Sequence, residues 1–218
     1  NQKLRTILRI SRPLFILLAA LTYCFGVSIA NYLGKPFRSD SFWLGLAGVV
    51  LAQMSMSLLS EVFRLDAEPL TENETRQQRL VVRNNALYIS VAAVTVMAVL
   101  AFLLYRNLRL SPASFSFLLL SLVFILAYAL PPFRNRGCGE FLLAAQIAYI
   151  LPSIAYLLQA DETHRFLVLL LPLTLLAFAY FIVLDFPSFA SDQKYNRTTF
   201  LTRLGWERVV PLHHIFVI

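Results

Sequence analysis

Six apolar stretches, at residues 13–33, 42–63, 86–105, 113–130, 141–158 and 166–184, each approach the roughly 20 residues a helix needs to cross the hydrocarbon core of a bilayer. No other feature constrains the fold as tightly, because a chain in lipid must satisfy its backbone hydrogen bonds internally. The runs are continuous rather than alternating, which favours helices over barrel strands. Composition agrees: 58% of residues are hydrophobic and 14% charged, against about a quarter charged in ordinary soluble domains. The expected fold is an all-α, polytopic transmembrane bundle with six full spans and the start of a seventh. That last run, 209–218, is too short to cross. Either it lies in the interface or a longer chain is cut there, and truncation is favoured. A single membrane-embedded domain over 1–218 is expected, with the first span retained, because its basic leader precedes a full-length span without a small-residue cleavage pattern.

Charge placement predicts the orientation. Fourteen of the nineteen Lys and Arg residues fall before the first span or in the loops after the second, fourth and sixth. By the positive-inside rule those segments face the cytoplasm. The net charge of +7 is thereby read as topology, and no nucleic-acid partner is expected, since no basic tract is interleaved with aromatics.

The same three loops carry the unusual polar chemistry. Asp185 and Asp192 stand at the mouth of the sixth apolar run, where acids are costly and seldom idle. On a continuous helix seven residues return to within about 20° of the same face, so both carboxylates can address one ligand. Lys194 and Arg197 follow them. After the second run, Glu61 and Glu68 repeat the seven-residue spacing, and the turn-rich stretch 131–140 adds Arg134 and Arg136. Acids able to hold a metal beside cations able to hold an anion suggest a metal–phosphate site. The plainer reading is that acids and arginines at a helix mouth pair with one another, and that Arg79, Lys194 and Arg197 only set topology.

Other candidates carry less. Cys24 and Cys138 lack the close spacing of a zinc site, and His213-His214 reads as structural. Among the aromatic residues, Tyr128, Tyr149 and Tyr180 can either pack between helices or line a cavity and face a cation. Pro152 and Pro172 are positioned to kink their helices.

Taken in order, these loops resemble the UbiA-type intramembrane aromatic prenyltransferases. That family carries an acidic motif of the form N-[DE]-x-x-D-x-x-x-D after the second span and a second, D-x-x-D-x-x-x-D, after the sixth. The corresponding segments here are Ser60-Glu61-x-x-Arg64-x-x-x-Glu68 and Asp185-x-x-Ser188-x-x-x-Asp192, the latter followed by Lys194, Arg197 and Thr202-Arg203-Leu204-Gly205. Arg12-Pro13, Arg79 and Gly139-Glu140 are further landmarks. The resemblance implies transfer of a prenyl group from a polyprenyl diphosphate to a small aromatic or quinone-precursor acceptor within the bilayer. It implies Mg²⁺ held by Glu61, Glu68, Asp185 and Asp192, with Glu61, Asp185 and Asp192 catalytic and Arg79, Arg134, Lys194 and Arg197 on the diphosphate. The active-site loops would face the cytoplasm.

The departures predict a weaker site. Arg64 and Ser188 replace one expected carboxylate in each motif, and Asp66 is off the motif face, five residues from Glu61 being about 140° of rotation. Arg64 either pairs with Glu61 or Glu68 and silences the site, or contacts phosphate directly. Magnesium binding is expected to be weak or absent, and a catalytically impaired relative that binds isoprenoid lipid or a partner protein is the alternative. Asn196 stands where a Gly would ease a tight turn.

Overall fold

A computed structural model describes residues 10–63, 75–108, 110–130, 136–160 and 162–218. Every regular element among them is helical. They are α1 (Pro13–Tyr32), α2 (Ser39–Val62), α3 (Arg76–Leu108), α4 (Pro112–Ala129), α5 (Gly139–Ala145), a π-helical turn (Gln146–Ile150), α6 (Leu151–Ala160) and α7 (Phe166–Asp185). A 3₁₀ turn (Phe186–Ser188), α8 (Phe189–Lys194), α9 (Phe200–Leu204) and α10 (Trp206–Val217) complete the described chain. Six helical stretches are long and apolar enough to span a membrane: α1, α2, α3, α4, α5 through α6, and α7 continuing through α8.

The apolar runs set the spans, and local chemistry sets their ends. Pro13 opens α1 and Pro112 opens α4, at first-turn positions where a missing N–H costs nothing. The third helix starts about ten residues before its apolar run, at Arg76. Its start is a capping box: Thr75 N–H donates to Gln78 Oε1 at 3.2 Å, and Gln78 N–H donates to Thr75 Oγ1 at 3.3 Å. Arg79 and Arg83 therefore ride on a polar extension of a membrane helix, where a loop was expected.

The fifth span forms the middle of the bundle. Every residue from Leu151 to Ala160 is buried, and the span packs on α1, α2, α4 and α7. Small residues permit the closest crossing. A Cβ on Gly26 would lie 2.3 Å from the Pro152 carbonyl oxygen and 2.8 Å from Ala155 Cβ, so α1 reaches the fifth span through bare backbone. Pro152 also accounts for the irregular turn before it. It has no N–H to give a carbonyl one turn back, and the preceding residue, Leu151, bonds to Gln146 O, five positions away. Buried Gln146 donates from Nε2 to Ser121 Oγ at 2.7 Å, a polar clasp to α4 worth about 1 kcal/mol in a membrane interior.

The two ends of the bundle differ. At one, Lys35 pairs with Glu162, and Gln159 accepts the Arg38 N–H at 2.8 Å, tying the α1–α2 connection to the end of the fifth span. The other end gathers the start of α1, the ends of α2, α4 and α7, and the start of α5. It carries the site.

Candidate active site

At that second end a pocket of about 640 Å³, its open mouth included, lies among six segments of the chain. Its polar lining comprises Arg12, Ser60, Tyr128, Glu140, Asp185, Arg197, Thr198 and Thr199, and Phe15, Leu143, Phe181 and Leu184 add apolar surface.

Arg12 precedes α1 in a left-handed conformation, φ 50° and ψ 69°, rarely adopted by a residue with a side chain. Its Nη1 donates to the Tyr128 hydroxyl at 3.2 Å, and its guanidinium carbon lies 5.6 Å from the centre of the Phe15 ring. Tyr128 most strongly, and then the charges of Glu61 and Asp185, raise the Arg12 guanidinium above its ordinary value against the burial that lowers it. One cation thus feels acids from two helix ends that are 124 positions apart in sequence.

Asp185 ends α7 and Glu140 opens α5. Their carboxyl groups stand within hydrogen-bonding reach of one another. Glu140 Oε1 accepts the Phe200 N–H at 3.1 Å, at the first residue of α9. Asp185 Oδ2 and Glu140 Oε2 are both fully buried and have no hydrogen-bond partner among the described residues. Two acceptors facing each other without a donor between them are electrostatically costly.

Asp192 occupies a different environment. Buried at 4% exposure, it faces Ser188 Oγ at 3.0 Å and Arg197 Nη1 at 3.6 Å, while its carbonyl accepts the Arg197 N–H at 2.8 Å. The helix between the two acids is not continuous. Pro187 lacks the N–H that would extend α7, and the chain tightens into a 3₁₀ turn before resuming as α8. Asp185 consequently lines the pocket while Asp192 sits behind Arg197, held by Ser188. The two acids of the seven-residue spacing thus stand in different surroundings, Asp185 in the pocket lining and Asp192 against Ser188 and Arg197.

The remaining loop is locked from two sides. Asn196 adopts φ 51°, a left-handed turn at the position where the motif comparison anticipated one. Thr199 and Thr202 form a reciprocal capping box at the start of α9. Gly137, at φ 66°, passes so close to this loop that a Cβ would lie 2.9 Å from the Thr199 carbonyl oxygen. Arg203 Nη1 donates to the Arg136 carbonyl at 2.6 Å. Arg136 and Gly137 thereby pack against Thr199 and Arg203 beside the pocket.

Of the residues singled out from sequence, Asp185 and Arg197 line the pocket. Glu61 adjoins the lining residue Ser60 and acts on Arg12 by charge. Arg79 lies half-buried on the polar start of α3. Lys194 is exposed, with its Nζ 5.5 Å from the centre of the Tyr195 ring, and does not contribute to the lining. Glu68 and Arg134, together with Arg64 and Asp66, lie outside the described residues. Tyr128 lines the pocket, whereas Tyr149 packs against Phe117 at 6.0 Å and Tyr180 is 46% exposed. Cys24 and Cys138 are free thiols. Arg12 and Glu140 appeared in sequence only as landmarks; their site positions depend on contacts with Tyr128 and Phe200, 116 and 60 residues away.

The family model of the UbiA prenyltransferase family matches residues 9–218. The chain belongs to that family. It is an integral, multi-pass, all-helical membrane protein of the corresponding type. No curated protein and no solved structure matches it significantly.

Proposed function

We propose that this pocket binds a prenyl diphosphate through magnesium and transfers the prenyl group to a small aromatic or quinone-precursor acceptor. The observation that carries the reading is the convergence of Asp185, Arg12 and Arg197 on one pocket at the end of a lipid-embedded bundle. Hard carboxylate oxygens suit Mg²⁺, which commonly bridges protein carboxylates to substrate phosphates. The buried, unpartnered Asp185 Oδ2 is an oxygen of the kind that such an ion takes. Asp185 would hold the ion, with Glu61 from the end of α2 and Asp192 behind them. Bound there, magnesium supplies positive charge that stabilises the departing diphosphate.

The chain's own residues supply the rest. Arg12 and Arg197 place guanidinium donors beside the anion, a geometry suited to phosphate oxygens. Arg79 would approach from the polar start of α3. The apolar lining, with Phe15, Leu143 and Phe181 buried or half-buried, would keep water from an allylic cation, and Tyr128 would lie near it. The prenyl tail would continue into the bundle or the adjoining lipid. The acceptor carbon gains the C–C bond as the allylic C–O bond breaks, and the acceptor then loses a proton.

A second reading, a relative that binds isoprenoid diphosphate without transferring it, is favoured by one observation. Asp192 is already engaged by Ser188 and Arg197, so fewer carboxylate oxygens face the pocket. Magnesium-dependent turnover separates the two. Purified protein supplied with geranyl, farnesyl and geranylgeranyl diphosphates and a panel of hydroxybenzoate and dihydroxynaphthoate acceptors should yield prenylated aromatic product. Diphosphate binding without product across the panel would select the second reading.

A further inference from the structure

We infer that Glu140 is a direct ligand of the divalent cation, a carboxylate supplied by the fifth span in place of one the acidic segments lack. This inference rests on the reading of the pocket as a magnesium–diphosphate site. Neither acidic segment contains Glu140; it opens α5, beyond the loop that follows the fourth span. Its carboxyl group nevertheless meets that of Asp185 in the pocket wall.

Three observations point to a cation between them. The two carboxyl groups stand within hydrogen-bonding reach, so as carboxylates they repel unless a cation or a proton lies between them. Each has one wholly buried oxygen without a hydrogen-bond partner among the described residues, Asp185 Oδ2 and Glu140 Oε2. Glu140 has one oxygen engaged, since Oε1 accepts the Phe200 N–H at 3.1 Å, and that bond restrains the carboxyl group. A residue held by one oxygen and unsatisfied at the other is pre-oriented to bind through the second. Among the described residues no arginine donates to Asp185 Oδ2 or Glu140 Oε2, although Arg12 feels the Asp185 charge. Arg12 gives Nη1 to Tyr128, and Arg197 faces Asp192.

Where the second segment has Ser188 instead of a carboxylate, Ser188 bonds Asp192 and offers the pocket no charge. Glu140 restores a second carboxylate next to Asp185 from another helix. Asp185 and Glu140 together balance the two charges of one magnesium ion.

The test is calorimetric titration of the detergent-solubilised full chain with magnesium and geranylgeranyl diphosphate, and with each alone. Glu140→Gln retains the acceptor for Phe200 N–H and removes only the charge. Its affinity for the magnesium–diphosphate complex should fall at least about tenfold, while metal-free diphosphate binds as well or better, because an anion has left the pocket. Glu140→Asp, which keeps the charge, should recover part of the loss. Manganese bound to the unmodified chain should give an electron paramagnetic resonance signal that Glu140→Gln weakens. If unmodified protein binds the metal–diphosphate complex and Glu140→Gln binds it equally, Glu140 is an anchor for α9 or shares a proton with Asp185, and the assignment falls while the proposed function stands. If the unmodified chain binds neither metal nor diphosphate, both fall.

Discussion

Ser188 Oγ stands 3.0 Å from Asp192 Oδ2 and 3.0 Å from the Asp185 carbonyl oxygen, so one hydroxyl hydrogen serves two acceptors on either side of the 3₁₀ turn. The residue that replaces an expected carboxylate therefore restrains another. Ser188→Asp would set a second anion beside Asp192 and remove that donor. The variant should be less stable without metal, by about 1–3 kcal/mol, because a buried acceptor loses its partner and gains a like charge. It should also show steeper magnesium dependence of diphosphate binding. Thermal unfolding with and without magnesium measures both effects, and a variant as stable as the parent in the absence of metal would count against this role for Ser188.

The contact of α1 with the fifth span depends on Gly26. A Cβ there would meet Pro152 O at 2.3 Å, and because that oxygen belongs to backbone the helices themselves must move. Gly26→Ala should cost about 1–3 kcal/mol, the usual scale of overpacking. Gly48→Ala, with nothing within 4 Å of its Cβ, should be neutral. Unfolding in detergent compares them directly, and equal stability of the two variants would contradict the crossing described above.

Orientation is testable with a native thiol. Cys138 lies between the fourth and fifth spans, next to Gly139 and Glu140, whereas Lys35 is at the opposite end of the bundle. In a Cys24→Ser background, Cys138 should react with a membrane-impermeant reagent from the cytoplasmic face only. In a chain lacking both native thiols, Lys35→Cys should react only from the other face. Labelling of both sites from one side would overturn the topology inferred from charge.

Apolar run length was sufficient to read six helices, because lipid leaves the backbone few alternatives. The early start of α3 was missed, because the polar residues from Arg76 to Asn85 read as loop by apolar length alone, although Thr75-x-x-Gln78 carries a capping-box signal. The left-handed turn at Asn196 falls where the family motif has a Gly. Asp185 and Asp192 share a helical stretch, but only Asp185 lines the pocket, while Asp192 faces Ser188 and Arg197. Pro187 signals the 3₁₀ turn that interrupts the α-helix between the two acids. Arg12, Tyr128 and Glu140 could not be assigned from periodicity, since each acquires its place through a partner more than fifty positions away. Helical pattern specifies a face; which faces converge is settled by packing around the central fifth span.

The most direct test of the account is magnesium-dependent binding of geranylgeranyl diphosphate by the full chain, followed by calorimetry in detergent. Asp185→Asn should remove the dependence on magnesium, and Arg197→Ala should weaken binding at least about tenfold, since charge-assisted bonds of about 1.5–3 kcal/mol are lost. Pocket-remote Lys35→Met should bind like the unmodified protein. Undiminished, magnesium-dependent binding in both Asp185→Asn and Arg197→Ala, or no binding by the unmodified chain, would contradict the assignment of this pocket as the diphosphate site.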